Sequence, residues 1–348
     1  MRDASRGGFT LVELLVVIGI IGMVSAIAVP TIFGAVASAR NAKTKVEVDM
    51  LHTALMNYKN EYGSFPPANM GPTTGGTGPL WLTASTTPSR TPPQVNKSHA
   101  AYKHLVKIFP RLNENEFDDQ RFIGESPYKY ISTLSPAQAL VFWLSGFYQN
   151  PEYPLTNQGS PGSRQKFFDF DETRLYAAYT YLFDGTPQIF AARGTTAAAS
   201  MSAYPVYFTG HPSAGLPYVY FDSRCYSTAT TDVGYIATNV NGDTSAVFPY
   251  INALPPSSGT WGQQHMNADT FQIIAPGKDG LYGPSTGRQV AFPRNTGEAY
   301  SLTFGGATIT PAYFYADDKN NALGHNDNIT NFADRPLADA IEALKAQK

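Results

Sequence analysis

Few side chains in this sequence stand where they could make or break bonds. The pentapeptide Gly283-Pro-Ser-Thr-Gly287 matches the G-x-S-x-G pattern of a serine nucleophile. That elbow needs a strand before it and a helix after it, and the following Arg288-Gln-Val-Ala-Phe-Pro293 opens no helix. The histidines at 52, 99, 104, 211, 265 and 325 never fall in HExxH spacing. Asp118-Asp119 and the group Asp169, Asp171 and Glu172 read as turns or solvated faces rather than an acid/base pair. Cys225, the single cysteine, excludes an intramolecular disulfide and reads as a small buried residue. The residue that asks for an explanation is Glu13, the only ionisable side chain from Phe9 to Val29. A charge within an apolar helix costs about 2.5–3.5 kcal/mol on insertion scales and marks a functional position.

Composition narrows the class. The 348 residues include 25 basic and 27 acidic side chains, for a net charge of −2, which argues against a nucleic-acid binder. Charged residues are only 15% of the chain, while 21 Tyr, 21 Phe, 30 Gly and 26 Pro favour short strands and many turns.

The element that carries Glu13 is a long helix. Roughly twenty apolar residues cross a bilayer core, and Arg2 and Arg6 ahead of the run favour a cytoplasmic N-terminus. A secretory signal cut near Ala26-Ile-Ala28 is disfavoured by Glu13 and by the continuing helical pattern. A plain single-pass anchor would leave Glu13 unexplained. Pro30 ends the apolar run and predicts a kink or break near residues 26–30. Beyond it Val48, Leu51, Leu55, Tyr58 and Tyr62 form one apolar stripe, with Lys43, Lys45, Glu47, Asp49 and Lys59 on other faces. Gly63 and Pro66-Pro67 stop the helix. A helix from Phe9 to Tyr62 would be about 80 Å long.

Residues 66–97 are rich in Pro, Thr, Gly and Ser and read as a long loop or linker, with Trp81 as its large anchor. Helices are expected over His99–Phe109 and Ala137–Phe147, the second capped by Ser135 with Pro136 in its first turn. Strands are expected at Leu175–Leu182, Ala203–Phe208, Pro217–Phe221, Val247–Ile251, Phe271–Ile274 and Ala312–Tyr315. Asp184-Gly185, Asn241-Gly242 and Asp279-Gly280 supply turns between them. Leu337, Ile341 and Leu344 suggest a short terminal helix.

The stretch Gly8-Phe9-Thr10-Leu11-Val12-Glu13 followed by the apolar helix resembles the N-terminus of type IV pilins and type II secretion pseudopilins. The resemblance implies cleavage between Gly8 and Phe9 by a prepilin peptidase and N-methylation of Phe9. It implies that Glu13 meets the N-terminal amine of a neighbouring subunit, a pairing that lowers the cost of the buried carboxylate. Pro30 matches the family's kink proline. The junction Ala54–Pro66, aromatic-rich and ending in Gly-x-aromatic-Pro, is similar to the major pseudopilin where helix passes into loop.

That resemblance also bears on Gly277-Lys-Asp-Gly280. By itself it is a hairpin turn. It is similar to the calcium loop of the major pseudopilin, whose downstream Asp-Ile-Thr-Asn-aromatic segment has a counterpart in Asp327-Asn-Ile-Thr-Asn-Phe332. Calcium takes six to eight oxygen ligands. Asp279 and Asp327 are the implied ligands, with Asp317 and Asp318 behind them. An insertion over roughly residues 283–316 departs from the family's short acidic loop and has to fold back if one site is to form.

The expected fold is α+β: a pilin-like long helix packed by its second half on an antiparallel sheet. The expected organisation is a leader over residues 1–8, a transmembrane and polymerisation helix over 9–62, a loop over 63–97 and a head over 98–348. The expected function is a non-enzymatic pseudopilus subunit of the inner membrane with its head in the periplasm. Its implied partners are other copies of itself, other pseudopilins, prepilin peptidase and an inner-membrane assembly platform. The rivals are a type IV pilin for adhesion, motility or DNA uptake, and a membrane-anchored enzyme or carbohydrate-binding head behind a prepilin leader.

Overall fold

A computed structural model describes residues 11–68, 81–82, 94–95, 97, 100–113, 135–155, 163–176, 180–181, 187–188, 205–213, 215–225, 235–239, 244–247, 249–253, 263–277, 280–282, 291–293, 302–304, 307–309, 327–334 and 336–337. The chain divides into two units, residues 1–43 and 44–348. One helix, α1 (Leu11–Tyr62, 52 residues), contributes to both.

In the first unit α1 exposes its apolar side chains, from Leu11 at 78% to Phe33 at 70%. The expected break near Pro30 is not found: the helical assignment runs through it unbroken. The hydroxyl of Thr31 donates to the carbonyls of Ala28 (2.8 Å) and Ile27 (3.3 Å) beside the position where proline withholds its own donor.

In the second unit α1 has the stripe that its sequence predicts. Thr44, Val48, Leu51, Ala54, Leu55 and Tyr58 are buried, and Tyr62 is partly buried against the same core. Gly63 adopts φ +72°, and its N–H bonds back to the Lys59 carbonyl at 2.7 Å, a left-handed stop that suits glycine. Helix α2 (Ala100–Ile108) and helix α3 (Pro136–Leu144) follow, each a little shorter than expected. Ser135 accepts from the Gln138 N–H, and the Gln138 side chain accepts from the Ser135 N–H, a reciprocal capping box. All nine residues of α3 are buried, and the Trp143 indole donates to the Pro67 carbonyl at 2.9 Å.

The strands are shorter and more numerous than expected. Among the described residues they form separate two- and three-stranded sheets, not one continuous sheet. Of the segment expected as Leu175–Leu182, Leu175–Tyr176 and Thr180–Tyr181 are strand and the rest lies outside the described residues, while Val247–Ile251 is the end of one strand and the start of another. The central sheet joins β1 (Val219–Asp222), β2 (Phe271–Ala275) and β3 (Ile329–Thr330), with β2 in the middle and both pairings antiparallel. All of their residues are buried, Asp222, Gln272 and Thr330 included, so exposed and buried positions do not alternate along them. Pairing is antiparallel throughout the described strands except where Ile251–Ala253 meets Ala291–Pro293 in parallel. The loop expected over residues 66–97 contains one small antiparallel pair, Trp81–Leu82 with Gln94–Val95. The strand expected at Ala312–Tyr315, the turns at 184–185 and 241–242 and the residues 341 and 344 lie outside the described residues, as does the side chain of Cys225. The architecture is α+β, a long N-terminal helix followed by antiparallel sheets, as in a pilin-like fold.

Candidate functional site

Of the residues singled out by sequence, Gly8, Phe9, Asp279, Asp317, Asp318 and the pentapeptide 283–287 lie outside the described residues. Glu13 stands in the exposed first turn of α1, where a carboxylate is favoured by the helix dipole. Pro30 lies within the same helix. α1 is long and apolar enough to cross a membrane, with none of its most apolar window buried. Together with the N-terminal sequence this fits a membrane-anchored single-pass chain.

Asp327 is half-buried, and the structure brings it to the turn that follows β2. A Cβ added to Gly277 would collide with the carbonyl oxygen and the Cγ of Asp327, so the two segments touch despite the long insertion between them. Gly280 has φ +75°, and its N–H reaches the Gly277 carbonyl at 3.2 Å, which closes the turn. Next to Asp327, Asn328 is fully buried, and its amide donates to the Tyr250 hydroxyl (2.8 Å) and the Tyr282 carbonyl (2.9 Å). Among the described residues its Oδ1 has no hydrogen-bond partner. Among the described residues no three His, Cys, Asp or Glu side chains converge as a metal cluster.

What the sequence did not reveal is how the second half of α1 is held. Glu47, expected on an outer face, is instead the centre of a polar cluster in the second unit. Arg174 grips it with two bonds, Nη1 to Oε1 and Nη2 to Oε2, both 2.7 Å. The Tyr207 hydroxyl donates to Oε1 (2.7 Å) and the Tyr218 hydroxyl to Oε2 (2.5 Å). Arg174 also donates to the Phe208 carbonyl through Nε at 2.9 Å. The two charged side chains are only 10% and 13% exposed. Glu47 lies well beyond the apolar stretch that ends at Val29. Desolvation works against its charge, but the bonds from Arg174, Tyr218 and Tyr207 outweigh it and hold the carboxyl below its ordinary range. Burial and Glu47 together push the Tyr218 hydroxyl well above its usual value. A sequence signal existed: Glu47 precedes Leu51 by four and follows Thr44 by three, so it borders the buried stripe.

Three further contacts fix the same helix. Lys45 bonds Asp49 (2.7 Å) and the Thr330 carbonyl (3.1 Å). His52 meets the Asn331 amide at 3.1 Å and lies 5.0 Å from the Phe271 ring. Tyr58, fully buried, bonds His104 Nε2 at 2.9 Å, and burial pushes the His104 ring down to about 3, so it is neutral. Asn331 in turn accepts the Ile273 N–H (2.9 Å), so the segment after Asp327 links β2 to α1. The arrangement can hold a helix rigidly.

Two comparisons with known proteins give matches. Residues 3–29 match the prokaryotic N-terminal methylation motif. A relative is the type II secretion system core protein G of Klebsiella michiganensis, 35% identical over 71 residues. That match covers 20% of this chain and 50% of the relative, about half its length. No solved structure matches the chain.

Proposed function

We propose, from the premise that its N-terminal region is that of a pseudopilin-like family, that this chain is a non-enzymatic subunit of a type II secretion-like pseudopilus. One observation carries the reading: the methylation motif over residues 3–29 covers the apolar first part of α1, whose large side chains lie exposed. Such a surface is stable only in lipid or against other helices. In this reading prepilin peptidase cuts between Gly8 and Phe9, the new amine is methylated, and an inner-membrane platform draws the subunit into a filament with copies of itself and other pseudopilins. Glu13 pairs with the Phe9 amine of the neighbouring copy and sets the register, and the head faces the periplasm.

The test is processing and assembly in membranes. Gly8→Glu blocks removal of the leader, seen as retained mass on intact-protein spectrometry. Glu13→Val leaves membrane insertion intact and abolishes multimers captured by a lysine-reactive cross-linker. Normal processing of the Gly8 variant, or normal multimers from the Glu13 variant, sinks the reading. Loss of secretion without loss of surface fibres separates a pseudopilin from a type IV pilin used for adhesion, motility or DNA uptake.

We also propose that the turn at 277–280 and Asp327 hold calcium, with Asp279 and Asp327 supplying carboxylates and Asp317 and Asp318, just after the insertion, completing the set. Two observations support it: the close approach of Gly277 to Asp327, and, next in sequence, the buried Oδ1 of Asn328 without a hydrogen-bond partner among the described residues. A hard cation needs this kind of mixed carboxylate and carbonyl oxygen set. Thermal melting of the full chain in calcium and in chelator checks it; an unchanged midpoint removes the ion from the account.

A further inference from the structure

A groove of about 540 Å³ runs along the second half of α1, between Val46, Met50, Thr53 and Asn57 on the helix and Phe167, Phe168 and Asp169 on the opposite wall. The helical residues recur at i, i+4, i+7 and i+11, so they form a second stripe beside the buried one. Val46 (59%) and Met50 (55%) are the most exposed large apolar side chains described in the second unit. Its rim is acidic: Asp49 is 56% exposed and Asp169 90%. Each already meets one lysine, Asp49 with Lys45 at 2.7 Å and Asp169 with Lys166 at 3.1 Å. An exposed carboxylate has lone pairs for more than one donor, and such solvated pairs hold their partners weakly.

We infer that this groove receives residues 34–43 of a second copy of the chain. The inference rests on the filament reading and deepens it by naming one contact. That stretch is helical and exposed in the first unit. Ala35, Ala39 and Ala42 fall at i, i+4 and i+7, a small-residue face that lets a helix approach a shallow apolar floor closely. Arg40 and Lys43 border that face along one side, and their charge is the complement of Asp49 and Asp169. Methionine at the floor suits a contact that must adapt to a curved or moving partner. The pairing joins two different patches, groove to helix. Such a heterologous contact does not close on itself and propagates into an open filament. An isologous dimer would not.

The experiment uses the full-length chain in membranes, with Cys225→Ser to leave no native thiol. Copies carrying Ala39→Cys and Thr53→Cys, each with a different tag, are co-expressed and oxidised. The expected result is a disulfide between the two tags. A control pairing Ala39→Cys with His211→Cys, an exposed head position, gives at least about five-fold less product, the scale on which exposed charge pairs bias a contact. Asp49→Lys with Asp169→Lys lowers the 39–53 product by a similar factor, and adding Arg40→Glu with Lys43→Glu on the partner copy restores it. A 39–53 yield no higher than the control, while lysine-reactive cross-linking still captures multimers, overturns the groove contact and leaves the filament reading standing. A product whose mass fits another pseudopilin also overturns it. Absence of all multimers overturns both.

Discussion

Removing Arg174 tests whether the second half of α1 is held by charge as well as by apolar packing. In Arg174→Met the volume is roughly kept, but Glu47 loses both guanidinium bonds and keeps only the Tyr207 and Tyr218 hydroxyls. Breaking one side of a buried pair costs about 3–5 kcal/mol, because the other charge stays desolvated. The two remaining hydroxyls place the expected cost at the lower end, about 3 kcal/mol. For a unit of this size each kcal/mol moves the midpoint about 2–4 °C, so a drop of about 6–12 °C is expected in thermal melting of the detergent-solubilised chain. Lys166→Met is the matched control: its pair with Asp169 is 59% and 90% exposed and contributes about 0–1 kcal/mol. The pH dependence has a definite sign. In the natural chain the Glu47 carboxyl sits below its ordinary value of 4.5, so its contribution is full above that value and is lost as pH falls through the lowered one. Without Arg174, burial raises the carboxyl instead, so the deficit of the variant is largest at neutral pH and narrows towards pH 4. Glu47→Met and Arg174→Met combined with Tyr207→Phe and Tyr218→Phe recovers most of the loss, because the whole cluster is replaced by apolar groups and no buried hydroxyl is left without its acceptor. A shift of Arg174→Met no larger than that of Lys166→Met, or a combined variant worse than Arg174→Met alone, would refute a buried pair as the fastening of the helix.

His104 gives a second pH test. Its ring is lowered from 6.5 to about 3 by burial first and by the Arg224 and Lys107 charges after it, so the folded chain resists a proton that the unfolded chain accepts. Stability from this group is therefore full above pH 6.5 and falls as pH drops towards 3. His104→Gln flattens that fall, read as melting midpoint against pH. His265, lowered to about 4 by burial, acts with the same sign and leaves a residual slope. Gly277→Ala forces apart the turn and Asp327 and lowers the midpoint by several degrees, whereas Gly210→Ala, where a Cβ meets nothing within 4 Å, leaves it near that of the natural chain.

How much of this was legible depends on how local the cause is. The helix, its stop at Gly63 and the cap at Ser135 follow from periodicity, a left-handed glycine and a serine three residues before a glutamine. The buried stripe from Val48 to Tyr58 could be counted from spacing alone. The strands were harder, because β1, β2 and β3 are buried on both faces and lose the alternation that marks a strand. Turn signals placed some of them, but the joint between Thr244–Val247 and Ile251–Ala253 carries no glycine at all. Least legible was the Glu47 cluster, whose Arg174, Tyr207 and Tyr218 lie 127, 160 and 171 residues along the chain from Glu47. A periodic pattern ranks Glu47 by charge and sends it to solvent. Only the fold reveals that Arg174 and two tyrosines wait for it. The apposition of Gly277 and Asp327 has the same character: the motif suggested it, and the intervening chain hid it.

The one helix thus carries two carboxylates in settings that would each be costly for a bare charge. Glu47 is satisfied within its own chain by a guanidinium and two hydroxyls, and this fixes residues 44–62 to the head whether or not any other copy is present. In the proposed filament Glu13 meets the amine of a neighbour. The two differ in what they report. Loss of the Glu47 pair lowers the melting midpoint of the chain, while loss of Glu13 removes multimers. In that reading the helix separates the strength of the head from polymerisation. The groove beside Val46 and Met50 lies on the fixed part, where its walls keep one geometry for the incoming copy. If Arg174→Met loosens residues 44–62, the 39–53 cross-link weakens with it, even though neither cysteine touches the ion pair.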